Sequence, residues 1–278
     1  MLKRTITAII MALVFLPVLF VGGWAFCLMC AVLSYVAGYE LLKMMENEDF
    51  HFKRLKYVMP LWNVYTVILF KLDSDFVIPC VIFAVLSILA LCILRPNFKI
   101  KSAISMVFAY LYSGVMLGLA VNIRLVDDGL FINPSFYRFA YLLLVVVFTD
   151  MGAYLIGCAF GKKKLCPTIS PNKTIGGAVG GLLCGTLMGI LFIIIAEQFL
   201  YKASLFGYTG VWNYVLIVLM TLLLSVATQI GDLLASKLKR QYGIKDYGTI
   251  FPGHGGVMDR FDSMIFAGTL FAAILMFI

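Results

Sequence analysis

Apolar residues run along this chain in long blocks that neither alternate nor form a stripe, and short clusters of charge, glycine and proline separate them. A helix needs about 20 apolar residues to cross a roughly 30 Å hydrocarbon layer, where every backbone polar group must be satisfied within the helix itself. Blocks of this kind lie near 5–22, 24–45, 57–71, 76–94, 103–123, 137–160, 175–197, 211–238 and 258–278. The pattern predicts an all-α, polytopic transmembrane helical bundle of about nine spans. The block at 57–71 is short, and only Gly22-Gly23 parts the first two. The first block follows Lys3 and Arg4, as a signal peptide would, but it lacks a small-x-small cleavage site and further spans follow at once, so it is read as a helix.

Composition strengthens this reading: 63% hydrophobic and 13% charged residues exceed what a water-soluble core of 278 residues needs. Charge sets the orientation, because short cytoplasmic loops are rich in Lys and Arg. With the N-terminus cytoplasmic, eighteen of the 22 basic residues fall inside: Lys3 and Arg4, then the connections 43–56, 95–101, 161–174 and 237–260. Lys71, Arg124, Arg138 and Lys202 fall outside. The net charge of +8 therefore faces anionic headgroups and nucleotides. Nucleic acid is excluded as a partner, since no soluble basic domain presents the charge. Seven cysteines, mostly inside apolar blocks, argue against a disulfide framework, and Cys27-x-x-Cys30 has no answering pair.

Ionisable residues divide the chain unevenly. Residues 1–136 read as N-terminal scaffold helices; Glu40, with Lys43 three residues on, reads there as an interface ion pair or a snorkelling end. Residues 137–278 read as a catalytic half with a cytoplasmic-face active site, because loops dense in Gly, Lys, Ser and Asp interrupt its helices. Counting from Asp232, positions +4, +7 and +8 are Ser236, Lys239 and Arg240, so an unbroken helix stacks a carboxylate, a hydroxyl and two cations on one face. Carboxylate oxygen suits a hard cation, and fixed donors suit phosphate.

Helical rise places Asp232 roughly 30 Å from Trp212, and Asp259 roughly 29 Å from the end of the last helix. Both reach one edge of the hydrocarbon, where they could share a cation, with Asp262 one turn deeper than Asp259. The intervening Lys245-Asp246-Tyr247-Gly248 through Pro252-Gly253-His254-Gly255-Gly256 is a glycine-rich turn entering a helix, and its backbone N–H groups are expected to form an anion site. His254 reads equally as a base, a ligand or a turn donor. A second constellation is Asp150-x-x-Ala153-Tyr154, followed by Ser170-Pro171-Asn172-Lys173-Thr174, in which Thr174 caps the next helix and Lys173 is free for phosphate. By helical rise from Arg138, Asp150 should lie well below the proposed cation. Gly177, Gly181, Gly185 and Gly189 form a stripe for close helix packing.

Residues 236–262 resemble the complete signature of the phosphatidate cytidylyltransferases, or CDP-diacylglycerol synthases: Ser236, Lys239-Arg240, Lys245-Asp246, Gly248, Pro252, His254-Gly255-Gly256, Asp259-Arg260 and Asp262. The elements around Gly231-Asp232, Asp150 and Ser170 are similar to family patterns as well. Gly176 departs from them, standing where many members carry an acid. The resemblance implies transfer of CMP from CTP to phosphatidate with Mg²⁺, alone or with a second cation. It implies Asp232 and Asp259 as metal ligands, with Asp262 and Asp150 behind them. Ser236, Lys239 and Arg240 would join the catalysis, and Lys173, Ser170, Lys245, His254, Gly255, Gly256, Arg260 and Tyr154 would bind substrate. Expected partners are CTP, phosphatidate and membrane lipid; a homodimer is compatible with the sequence. A compact chain of this kind suits a bacterial inner membrane. A CTP-dependent lipid kinase is the nearest alternative; a transporter would spread its acids across the bilayer.

Overall fold

The computed structural model describes residues 2–46, 54–72, 75–94, 98–126, 133–200, 206–207 and 210–277. Lys53, Arg95 and Lys202 of the charge argument lie outside the described residues. Among the described residues eleven α-helices follow one another: α1 Leu2–Val21, α2 Gly23–Met45, α3 Leu55–Val58, α4 Leu61–Lys71, α5 Val77–Leu94, α6 Ile100–Tyr110, α7 Leu117–Leu125, α8 Pro134–Phe160, α9 Ile175–Ile195, α10 Val211–Gln241 and α11 Met258–Leu275. The fold is all-α and polytopic, as the apolar blocks predict. Six helical stretches among the described residues are long and apolar enough to cross a membrane: Gly23–Met45, Val77–Leu94, Ile100–Leu125, Pro134–Phe160, Ile175–Phe199 and Val211–Gln241. The other three expected spans are weaker. Thr5–Val21 and α4 are short, and α11 carries Asp259, Arg260 and Asp262 in its first turns. The 161–174 loop holds a small exception to the helical rule, an antiparallel hairpin of β1 Lys164–Cys166 and β2 Ser170–Thr174.

The chain forms two compact units, Met1–Asp128 with Tyr242–Phe261, and Gly129–Gln241 with Asp262–Ile278. The glycine-rich segment belongs to the same unit as the N-terminal helices.

Polar contacts pin the first unit from inside. Lipid is as apolar as leucine, so hydrogen bonds and close backbone approach must supply what the hydrophobic effect cannot. Asn63 on α4 donates to the Ser34 carbonyl and the Ser113 hydroxyl, both at 2.9 Å. Ser113 lies in a π-helical turn, Leu111–Met116, which departs from the usual i→i−4 ladder. Its carbonyl accepts the Ser34 hydroxyl at 2.6 Å. Arg124, fully buried on α7, donates to the Leu19 carbonyl at 3.2 Å and so closes the C-terminal end of α1.

In the second unit, Asn133 caps α8 by accepting the Phe136 N–H at 3.0 Å, and Pro134 follows at the first helical position. Thr174 caps α9 by accepting the Gly177 N–H at 3.0 Å, as its position after the Ser-Pro-Asn-Lys run suggests. The glycine stripe then packs α9 on α8. A Cβ on Gly181 would stand 2.6 Å from the Thr149 carbonyl, and one on Gly185 would stand 2.1 Å from the Thr149 hydroxyl. Hydroxyl pairs join α8 to α10: Tyr141 with Thr221 at 2.7 Å and Thr149 with Ser225 at 2.9 Å. At 31 residues α10 is about 46 Å long, well beyond a hydrocarbon layer, which lets its last turns carry Ser236, Lys239 and Arg240 without a break.

Candidate functional site

The second unit gathers acids from three helices. Asp232 on α10 follows Gly231, and Gly231 packs against α11: a Cβ there would lie 2.8 Å from the Asp262 carbonyl and 2.9 Å from the Phe266 Cβ. Glycine at 231 therefore lets the two backbones meet and brings Asp232 level with the start of α11. Asp262, buried on α11, is within electrostatic range of Asp232, of Asp150 on α8 and of Lys239 on α10. Asp150 interacts in turn with Asp232 and Lys173, and hydrogen-bonds to Ser263. Three like charges so near each other are costly unless cations answer them.

The cations come from the hairpin and from α10. Lys173 on β2 forms an ion pair with Asp232. Ser236, one turn on, donates to Asp232 Oδ1 at 3.4 Å. Lys239 extends the same helix face, and Arg240 beside it is exposed. The predicted stacking of Asp232, Ser236 and Lys239 is thus present, and the hairpin adds Lys173 to it. Asp150 is not isolated below the others. Because α8 starts at Pro134 and not at Arg138, Asp150 lies about 6 Å further along the helix than a count from Arg138 places it.

Hard oxygen donors of this kind fit Mg²⁺, which takes one or two carboxylates and keeps several of its waters. The three carboxylates do not form a ready coordination shell, since no group of three or more His, Cys, Asp or Glu side chains among the described residues is poised to hold a metal.

The glycine-rich segment of the first unit is built on the opposite plan. Asp259 Oδ2 accepts the Tyr247 N–H at 2.8 Å and the Gly256 N–H at 2.9 Å. Glu40, buried on α2, accepts the Val257 N–H at 3.1 Å through one carboxylate oxygen and the Met258 N–H at 3.0 Å through the other. The N–H groups expected to receive a phosphate are therefore already taken at 256, 257 and 258. A helix N-terminus favours negative charge, and here the protein's own carboxylates supply it. Glu40 is accordingly neither an interface ion pair nor a snorkelling end. Its sequence signal was an acid inside an apolar block, which Lys43 explained too cheaply.

The remaining site residues scatter by exposure. Lys245, Asp246 and Arg260 are exposed, as is Tyr154 on α8; Ser170 at the start of β2 is partly covered. His254 donates its backbone N–H to the Phe251 carbonyl at 2.8 Å, while its side-chain Nδ1 is buried without a hydrogen-bond partner. Gly176 lies open toward the end of α8, where an added Cβ would meet nothing nearer than 3.5 Å.

A model of the cytidylyltransferase family matches residues 2–278. The phosphatidate cytidylyltransferase of Staphylococcus haemolyticus is 36% identical over 273 residues, covering 95% of this chain and 94% of the relative. That of Bacillus subtilis is 35% identical over 273 residues, covering 96% and 94%. A third, from Staphylococcus aureus, is 34% identical over 270 residues, covering 95% and 94%.

Proposed function

The chain belongs to the cytidylyltransferase family, and on that premise we propose that it transfers CMP from CTP to phosphatidate, giving CDP-diacylglycerol and pyrophosphate for phospholipid synthesis. The observation that carries this reading is the cluster of the second unit. Asp150, Asp232 and Asp262 come from three helices and are answered by Lys173 and Lys239. A phosphate oxygen of phosphatidate attacks the α-phosphorus of CTP, a new P–O–P bridge forms, and the bond to the β-phosphate breaks with pyrophosphate leaving. The nucleophile is a phosphomonoester with a second pKa near 6, so it is largely dianionic near neutral pH and needs no base. The obstacle is repulsion between two polyanions.

The residues answer that obstacle. Lys239 and Arg240, one helical turn beyond Ser236, present fixed positive charge to phosphate oxygens. Lys173 is paired with Asp232 in the free protein, and it turns to a substrate phosphate when Asp232 is otherwise engaged. Asp232, with Asp150 and Asp262 behind it, would hold Mg²⁺, alone or with a second cation, and the ion would supply positive charge to the triphosphate. On the family signature, Lys245, Arg260 and His254 of the glycine-rich segment and Ser170 and Tyr154 of the second unit are assigned to substrate. The same signature assigns Asp259 to the metal. We place the protein in a bacterial cell membrane, N-terminus and reaction on the cytoplasmic side, following the distribution of its basic residues.

Purified protein, Mg²⁺, phosphatidate and CTP labelled at either end test the reading. Label from the α-phosphate is expected in lipid and label from the γ-phosphate in pyrophosphate. γ-Label in lipid instead would make the protein a lipid kinase, and no labelled product would overturn the enzyme altogether.

A further inference from the structure

The strongest unclaimed feature is Glu40. It lies in a helix outside the family signature, on a stretch that reads as scaffold, and yet both of its carboxylate oxygens are spent on the first N–H groups of α11. Two glycines of the signature make room for it. A Cβ on Gly256 would stand 2.3 and 2.4 Å from the two Glu40 oxygens, and one on Gly248 would stand 2.2 Å from Glu40 Oε1. Neither Gly248 nor Gly256 has a positive φ. Backbone conformation therefore does not require glycine at either position; the approach of Glu40 does.

We propose that Glu40 is a positioning residue for the glycine-rich segment, an internal anion that occupies the N-terminus of α11 and fixes the backbone from Gly248 to Met258. Asp259 completes the same device from the other side, through the Tyr247 and Gly256 N–H groups. Together the two carboxylates consume every donor that a phosphate would otherwise find at 256, 257 and 258. Substrate is then left to side chains, and the segment's shape is set before substrate arrives. The functional part of this inference rests on the cytidylyltransferase reading; the contact itself does not.

Four variants of the full-length protein in detergent test it: Glu40→Ala, Glu40→Gln, Gly256→Ala and the double variant Glu40→Ala with Gly256→Ala. Amide hydrogen exchange needs no substrate. In Glu40→Ala the Val257 and Met258 amides should exchange about 100-fold faster, with the α8 and α9 amides unchanged. In kcat/KM, Glu40→Ala should lose about 50-fold, and Glu40→Gln, which keeps the length and one acceptor, should recover most of that loss. Gly256→Ala should be about as damaging as Glu40→Ala alone but add almost nothing to it, because removal of the carboxylate opens the space that the new methyl fills. Should Glu40→Ala fail to fold, Glu40→Gln and Gly256→Ala still carry the exchange comparison. Unchanged exchange at 257 and 258, or a Gln variant no better than Ala with additive losses at Gly256, would overturn the proposal. Wild-type protein that makes no CDP-lipid would overturn the activity and leave the exchange result standing.

Discussion

Two groups of acids in this protein solve opposite problems. In the glycine-rich segment, Glu40 and Asp259 face backbone N–H groups, and each carboxylate accepts two of them. In the second unit, Asp150, Asp232 and Asp262 lie within electrostatic range of one another, and side-chain cations answer them. Backbone donors cannot leave without unwinding a turn, so the four bonds of the first pair are committed to structure. Lysine side chains can swing away, so the second group is free to exchange one cation for another. A buried acid says little by itself; the kind of donor it meets separates a strut from a ligand.

The sharpest way to break that comparison is to neutralise one member of each group and read both activity and stability. Asp232→Asn should lower turnover by about 1,000-fold, since it removes charge where the proposed metal and the phosphates meet. Its melting temperature should hold or rise, because one of three crowded negative charges is gone. Pyrophosphate release and thermal unfolding of the same preparation check the two halves. Near wild-type turnover would remove Asp232 from the site.

Asp259→Asn should behave differently. The amide keeps an oxygen but weakens two charge-assisted bonds, each worth about 1.5–3 kcal/mol, so unfolding should come several degrees earlier alongside an activity loss of about 10- to 100-fold. A variant that loses activity as completely as Asp232→Asn with no change in melting would show that Asp259 serves the metal more than the turn, and would erase the distinction drawn above.

Much of this was legible in the chain. Apolar blocks gave the helices because a lipid-exposed backbone has no alternative to satisfying itself. The spacing from Asp232 to Lys239 gave one face because α10 is unbroken there. What escaped were relations between distant elements. Nothing local in α2 says that Glu40 will meet Val257, more than two hundred residues away, and an acid with a lysine three positions on already has a surface explanation. Asp150 was misplaced by a ruler started at Arg138 when the helix begins at Pro134, and such a ruler also ignores helix tilt. Nothing near Arg124 in the sequence says that it will donate to the Leu19 carbonyl, 105 residues away, at the end of α1. The hairpin has no strand signal in the sequence, because Ser-Pro-Asn-Lys-Thr carries turn residues and too few β-branched ones to announce a strand.

The smallest effect expected is at His254, which sits in the committed group's segment but belongs to neither group. Its backbone is tied to Phe251, whereas its Nδ1 is buried with no partner, an atom left for a ligand's hydrogen bond. A dianionic phosphomonoester has no proton for an imidazole to remove, so the histidine should help to bind and not act as a base. His254→Gln should therefore raise KM for CTP by about three- to tenfold and leave kcat within about threefold. The rate should still climb as pH rises through about 6, since that limb reports the second ionisation of phosphatidate and not a side chain. The KM and kcat split, measured across pH with one lipid substrate, decides the matter. A collapse of kcat in folded protein, or loss of the acidic limb, would give His254 a chemical role and place it with Asp232 among the groups that act on the substrate.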